Sequence, residues 1–324
     1  HVQVVYTIHN IQYQGIFSPD IVENVLGLDW LDYAGGYIQF DNCVNFMKTG
    51  IMAASWVTTV SPTYAQEIQN AYYGHGLQTL LQQENAKLSG IINGIDYDTY
   101  NPETDPHLFK NYSLETIADK KVNKTELQKL LNLPVNPEIP MIAMVTRLVD
   151  HKGLDLVEAV LDDILYDDVQ LVVLGTGDWR YEEMMREAAA RYPGKVSANI
   201  TFNSDLAQKI YAGADIFLMP SQSEPCGLSQ MIAMRYGTIP VVRETGGLKD
   251  TVLPYISWEG KGTGFTFANY NAHDMLHVIQ QAEAAYYNSE QWPVLVENAM
   301  RQDFSWNGPA REYMALYRKL TNKR

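Results

Sequence analysis

The sequence has only two cysteines, Cys43 and Cys226, in 324 residues. That excludes a disulfide framework and a cysteine zinc site, and it fits a reducing cytoplasm. Cations are scarce as well: 24 Lys and Arg stand against 38 Asp and Glu, a formal net charge of −14. Non-specific binding to nucleic acid or to an anionic membrane surface needs basic patches, so neither is expected as a partner. No apolar run approaches the roughly 20 residues that span a bilayer. No basic segment with an apolar stretch and cleavage site stands at the start. A Gly-Lys-Ser/Thr phosphate loop is absent throughout, as are low-complexity tracts and fixed-period repeats. Apolar residues nevertheless reach 46% and charged residues 19%, a composition that builds cores and excludes whole-chain disorder. At roughly 100–200 residues per domain, the length corresponds to about two domains.

From about residue 100 to 300, short apolar runs alternate with amphipathic helical patterns. Strands are predicted at 141–148, 169–177, 198–203, 214–221, 238–244 and 263–268. Between the first two, Leu154, Leu156, Val157, Val160, Leu161, Ile164 and Leu165 form one helical stripe, and 179–192 is a second helix. Such alternation predicts a parallel sheet covered on both faces, a doubly wound α/β domain. The first 97 residues carry a shorter series, with strands at 4–10, 55–62 and 88–96 and helices at 46–54 and 62–72. That is about half of another doubly wound domain. A core strand follows His1 directly, so the N-terminal part of this domain is expected to be missing. Residues 96–113 read as a connector and 308–322 as an amphipathic terminal helix.

Ligands of parallel α/β sheets bind at the carboxyl ends of the strands. In the loop 146–153, Arg147 and Lys152 stand five residues apart at a helix start, which suits a phosphate or diphosphate, or a solvated loop. In 174–180, Gly175 and Gly177 permit close backbone approach or a tight turn. A dinucleotide fingerprint would need a third glycine at Arg180, so hydride transfer is weakly supported. In 220–230, Glu224 precedes Pro225 and Gly227 ahead of an apolar helix; its carboxylate suits sugar hydroxyls, or equally a helix cap. In 243–250, Thr245, Gly246 and Gly247 suit either an anion facing backbone N–H groups or a plain turn. His9 and Asn10 end the first strand, with Tyr13, Gln14 and Gly15 following. A satisfied structural histidine is the alternative there. If the two sheets faced each other across a cleft, these loops would converge on it.

The segments TIHNIQYQG, VSPTYAQEI, INGID, VTRLVDHKGLDL, SEPCGLSQ, YGTIPVVRETGGLKDTV and DFSW follow one another in this order. Together they resemble the bacterial glycogen synthases and plant starch synthases, ADP-glucose-dependent glucan glycosyltransferases of family five, from residue 1 to about 318. The resemblance implies a glycosyltransferase B fold of two Rossmann-like domains: 1–97 as part of the N-terminal domain, 98–304 as the donor domain, and 305–324 as a helix packing back on the first. It implies retaining transfer from ADP-glucose to the non-reducing end of an α-1,4-glucan, with no metal and no cofactor. By motif match, Arg147 and Lys152 hold the donor diphosphate and stabilise the leaving ADP, and Glu224 binds glucose hydroxyls. Cys226, Gly227 and Leu228 line the glucose pocket. His9 lies beside the reacting carbon, Asn93 near the sugar, and Phe202 against adenine. Gly175, Gly177, Thr245, Gly246 and Gly247 complete the donor-binding set. No carboxylate pair suits a glycosidase double displacement. One departure is the family's Lys-Thr-Gly-Gly-Leu loop, which is absent; Lys48, Thr49, Gly50 and Ile51 resemble it but fall in a predicted helix, and no role is assigned to them. Rival readings are a UDP-glucose enzyme of the same fold, a non-catalytic nucleotide- or glucan-binding fragment, and a phosphorylase, for whose lysine-bound pyridoxal phosphate no motif is present.

Overall fold

The computed structural model describes residues 2–321. Among them twelve strands run in chain order: β1 Val5–Ile8, β2 Ile16–Phe17, β3 Gln39–Phe40, β4 Cys43–Asn45, β5 Trp56–Thr59, β6 Leu88–Gly90, β7 Met141–Val145, β8 Gln170–Leu174, β9 Val196–Asn199, β10 Ile216–Met219, β11 Ile239–Arg243 and β12 Phe265–Phe267. The chain divides into two compact units. The first takes the residues up to Asn93 and the helix from Asn307; the second is Gly94–Trp306.

The second unit is built on one six-stranded sheet in the order β12-β11-β10-β7-β8-β9, every pair parallel. Strands β7, β8 and β11 are apolar on both faces because helices cover both, so they read as continuous runs rather than alternations. The helix Leu154–Tyr166 buries all seven residues of the predicted stripe. The order is the doubly wound one: the chain starts in the middle at β7, winds outward to β9, returns to β10 and winds out the other way.

One expectation for this unit needs correction. The predicted strand 198–203 lies two residues earlier and ends at Asn199. Asn203 caps the helix Ser204–Gly213 by accepting the Leu206 N–H at 2.9 Å, so Phe202 sits on the intervening loop. The connector 96–113 is pinned to the second unit's core. Tyr112 donates from its hydroxyl to the Tyr236 carbonyl at 2.7 Å, and Tyr236 donates to Asp105 at 2.6 Å.

The helix Lys120–Leu130 has no counterpart in the sequence reading. Its buried face is largely polar, Asn123, Lys124 and Gln128 beside Leu127. Each polar group has a specific partner: Lys124 pairs with Asp215 at 2.6 Å, and Gln128 donates to Gln170 at 2.8 Å.

In the first unit, β1-β5-β6 form a parallel sheet over a core that includes Ile8, Ile51, Val57, Tyr64 and Leu81. A small antiparallel sheet, β2-β4-β3, adds to it. The turn between β3 and β4 places Asp41 and Asn42 at φ 50° and 58°, the pair of left-handed residues a two-residue hairpin requires. The predicted terminal helix 308–322 is Asn307–Thr321, with Lys319 over the Trp56 ring at 3.9 Å; Asn322 lies outside the described residues. No helix among the described residues is long and apolar enough to cross a membrane.

One buried acid sets a pH dependence. Glu283 is 7% exposed and its Oε1 has no hydrogen-bond partner. Burial, and then the charge of Asp167, push its carboxyl up from 4.5 to about 7. The folded protein therefore holds this proton more tightly than the unfolded chain does. Stability falls as pH rises from 4.5 to about 7 and is not regained above that. At 1.36 kcal/mol per unit the loss approaches about 3 kcal/mol. Glu283→Gln is expected to raise Tm near pH 8 and to leave it unchanged near pH 5. Equal shifts at both pH values would show that the gain is not electrostatic.

Candidate functional site

The winding direction of the six-stranded sheet reverses between β7 and β10, which leaves a crevice outside their carboxyl ends. The loops 146–153 and 220–228 stand there. After β7 the chain makes a short 3-10 turn, Asp150–Lys152, and enters the helix Leu154–Tyr166 through Gly153. Gly153 is left-handed, at φ 76°, and a Cβ on it would lie 2.1 Å from the Pro220 carbonyl oxygen. The Gln222 N–H donates to the His151 carbonyl at 2.9 Å. The two loops are thus stitched together by backbone.

That stitching brings Lys152 Nζ to 2.6 Å from Glu224 Oε2, with the side chains 15% and 9% exposed. The Ser221 hydroxyl donates to the same oxygen at 3.1 Å. Glu224 therefore does not cap the following helix, Ser229–Arg235, which has no side-chain cap. Arg147 is exposed, with a guanidinium nitrogen 3.5 Å from His151 Nε2. Burial lowers the pKa of His151, and the Lys152 and Arg147 charges lower it further. The field at this loop is positive despite Glu224 and Asp150. Such a mouth, with Arg147 exposed and the Lys152–Glu224 pair fixed in the adjoining loops, can hold an anion and accept hydroxyl hydrogen bonds from the same ligand.

The glycines of the neighbouring loops approach protein backbone. The Leu148 N–H donates to the Thr176 carbonyl and the Asp178 N–H to the Leu148 carbonyl, at 2.9 and 2.7 Å. A Cβ on Gly175 would lie 1.8 Å from the Thr146 oxygen, and one on Gly177 2.2 Å from the Leu148 oxygen. Likewise a Cβ on Gly246 would lie 2.0 Å from the Glu224 oxygen, and one on Gly247 2.0 Å from the Cys226 oxygen. The N–H groups of Gly247 and Leu248 donate to the Glu224 and Thr245 carbonyls, at 3.1 and 3.0 Å. Thr245, Gly246 and Gly247 seat the loop that carries Glu224. Cys226 is buried, Gly227 half-buried and Leu228 exposed. Gln230 donates to the carbonyls of Cys226 and Gly227, at 3.1 and 2.8 Å.

Four residues that sequence reasoning did not single out complete the frame. Ser221 has been described. Arg243, at the end of β11, donates to the carbonyls of Gln222 and Ser221 at 2.9 and 3.3 Å, and its guanidinium lies 5.7 Å from the Tyr270 ring centre. Tyr270 donates from its hydroxyl to Asp155, in the first turn of the helix after Lys152. The available signal was an arginine closing an otherwise apolar strand.

Phe202 is 92% exposed on the loop after β9, at the same edge of the sheet. His9 and Asn93 belong to the first unit. His9 is exposed at the carboxyl end of β1, and Asn93 is half-buried after β6. The loop after His9 is fixed. The Ile11 N–H donates to the Tyr64 hydroxyl at 3.1 Å, and buried Gln14 donates to the His75 carbonyl at 2.9 Å and accepts from Asn45 at 2.7 Å. Lys48 is buried in the helix Phe46–Ala53 and donates to the carbonyls of Gly36 and Tyr37, a structural role. Among the described residues no three His, Cys, Asp or Glu side chains gather closely enough to hold a metal ion.

Residues 1–83 match the family model "Starch synthase catalytic domain", and residues 126–299 match "Glycosyl transferases group 1". A glycogen synthase of Desulforamulus reducens is 53% identical over 98% of this chain and 66% of its own length. One of Clostridium acetobutylicum is 54% identical over 98% and 67%. The chain belongs to the glycogen synthase family of glycosyltransferases. It spans about two thirds of the length of these relatives. The catalytic domain of starch synthase IV from Arabidopsis thaliana, solved with ADP and acarbose, superposes with a TM-score of 0.89 at 36% identity, covering 98% of this chain and 66% of that one. The fold is the glycosyltransferase B class expected from the resemblance.

Proposed function

We propose that the chain supplies the donor site and part of the acceptor side of a retaining glucosyltransferase that moves glucose from ADP-glucose to the non-reducing end of an α-1,4-glucan in the cytoplasm. The observation that carries this reading is the Lys152–Glu224 pair at the switch point of the sheet. Negative charge develops on the leaving diphosphate in the transition state, and preorganised cations there lower the barrier. Arg147 and Lys152 are those cations. Glu224 orients the hexose through its hydroxyls, and because its carboxylate is neutralised by Lys152 it is held as an acceptor rather than offered as a nucleophile. One ion pair thus sets the spacing between diphosphate and sugar. Cys226, Gly227 and Leu228 wall the sugar, and exposed Phe202 offers a face to adenine. For His9 and Asn93 the sugar-side roles rest on the motif match alone.

Calorimetric titration with ADP, and with UDP as control, tests the donor site. ADP is expected to bind more tightly than UDP. Arg147→Ala is expected to weaken ADP roughly 10- to 100-fold, the worth of one hydrogen bond to a charged group. Tighter binding of UDP would reassign the donor. Unchanged ADP affinity in the variant would remove Arg147 from the site.

A further inference from the structure

A cavity of about 870 Å³ opens in the second unit, lined by Glu138, Asp215 and Gly237 ahead of β7, β10 and β11. It is therefore at the amino ends of these strands, the opposite edge of the sheet from Lys152 and Glu224. Its aromatic wall is Tyr286, Tyr287 and Trp292. Tyr286 is fixed, donating to the Pro137 carbonyl at 3.0 Å and accepting from Lys124 at 2.9 Å. Trp292 and Tyr287 pack edge-on against it, with ring centres 5.2 and 5.4 Å away.

The charges on the wall cancel. Lys124 pairs with Asp215 and Lys121 with Glu138, each at 2.6 Å, and Arg301 pairs with Glu297 at 2.8 Å. Lys120 donates to the Ala212 carbonyl and the Thr238 hydroxyl, each at 2.8 Å, and Glu115 accepts from the Ser113 hydroxyl at 2.7 Å. A phosphate finds no cation here without a partner, and a cation finds its carboxylates already engaged. The site suits a neutral ligand that offers flat C–H faces to aromatic rings and hydroxyls to a charged rim. That is the chemistry of a pyranose, and the volume falls within the range of small-molecule sites, about 300–1,000 Å³.

We infer that this cavity is a second carbohydrate site, which holds a few glucose units of an α-glucan away from the point of transfer. The identity of the sugar rests on the proposed transferase reading; the neutrality and the aromatic wall do not. A five-residue strand alone separates the two edges of the sheet by about 17 Å. A short oligosaccharide therefore occupies one site at a time, whereas a branched polymer held here raises the local concentration of its own chain ends at the other.

Maltoheptaose titrated by calorimetry into ADP-saturated protein tests the inference, with Trp292→Ala and Tyr287→Ala as variants. Tyr287 is 59% exposed, so its truncation leaves the core intact. Each variant is expected to lose about tenfold in affinity for maltoheptaose at one class of site, with ADP binding unchanged. In transfer assays the KM for glycogen is expected to rise about tenfold, with kcat and transfer to maltose unchanged. If both variants bind maltoheptaose as the parent does, the second site is overturned whether or not transfer is seen. If they lose that binding while the parent protein binds neither ADP nor UDP, the site stands and the transferase reading fails.

Discussion

Lys152→Met is expected to lower kcat/KM for ADP-glucose by about 10²–10³, the usual effect of removing one preorganised charge from a developing anion. It is also expected to destabilise the fold. Glu224 would keep its buried position and its Ser221 hydrogen bond but lose the ammonium 2.6 Å away. Breaking a fully buried pair costs about 3–5 kcal/mol. These side chains retain 15% and 9% exposure, so about 2–3 kcal/mol is the appropriate scale. The two effects separate in a double-mutant cycle. Adding Glu224→Gln to Lys152→Met removes the stranded charge and is expected to restore most of the lost Tm without restoring transfer. Recovery of transfer together with stability would show that Lys152 acts only by supporting Glu224, and its diphosphate role would fall.

The cycle addresses what the sequence left open. The second unit was legible because its strands are continuous apolar runs and its first crossover helix carries a clean stripe from Leu154 to Leu165; both signals are local. The site loops were legible as positions for the same reason, since they follow those strands. The pairing within them was not. Lys152 and Glu224 are 72 residues apart and meet because β7 and β10 are neighbours, a fact of topology. The relay through Arg243, Tyr270 and Asp155 is equally non-local. The small antiparallel sheet escaped because strands of two or three residues carry no alternation. The helix Lys120–Leu130 escaped because its buried face is polar, so its burial depends on Asp215 and Gln170 far along the chain. The glycines were ambiguous in a different way. A glycine announces that something approaches the backbone without saying what. At Gly175, Gly177, Gly246 and Gly247 another loop of the protein makes such an approach.

Gly153→Ala turns that last point into a measurement. The substitution adds a Cβ 2.1 Å from the Pro220 oxygen, in the loop that carries Ser221 and Glu224, at a residue with φ 76°. The obstacle is backbone, so no side chain can rotate away. Left-handed strain costs about 1–2 kcal/mol, and overpacking adds about 1–3 kcal/mol. The cheapest relief is for the two loops to part, which draws Lys152 away from Glu224. The expected result is a lowered Tm and a fall of at least about tenfold in kcat/KM, since small misplacements of positioning groups are expensive. Gly27→Ala is the matched control: Gly27 has φ 63°, and nothing lies within 4 Å of the added Cβ. It carries the left-handed strain alone and should leave transfer and ADP affinity unchanged. If Gly153→Ala behaves like Gly27→Ala, contact with Pro220 does not hold the loops together. If it loses transfer while Gly27→Ala does not, the backbone seam between the loops sets the geometry of the ion pair.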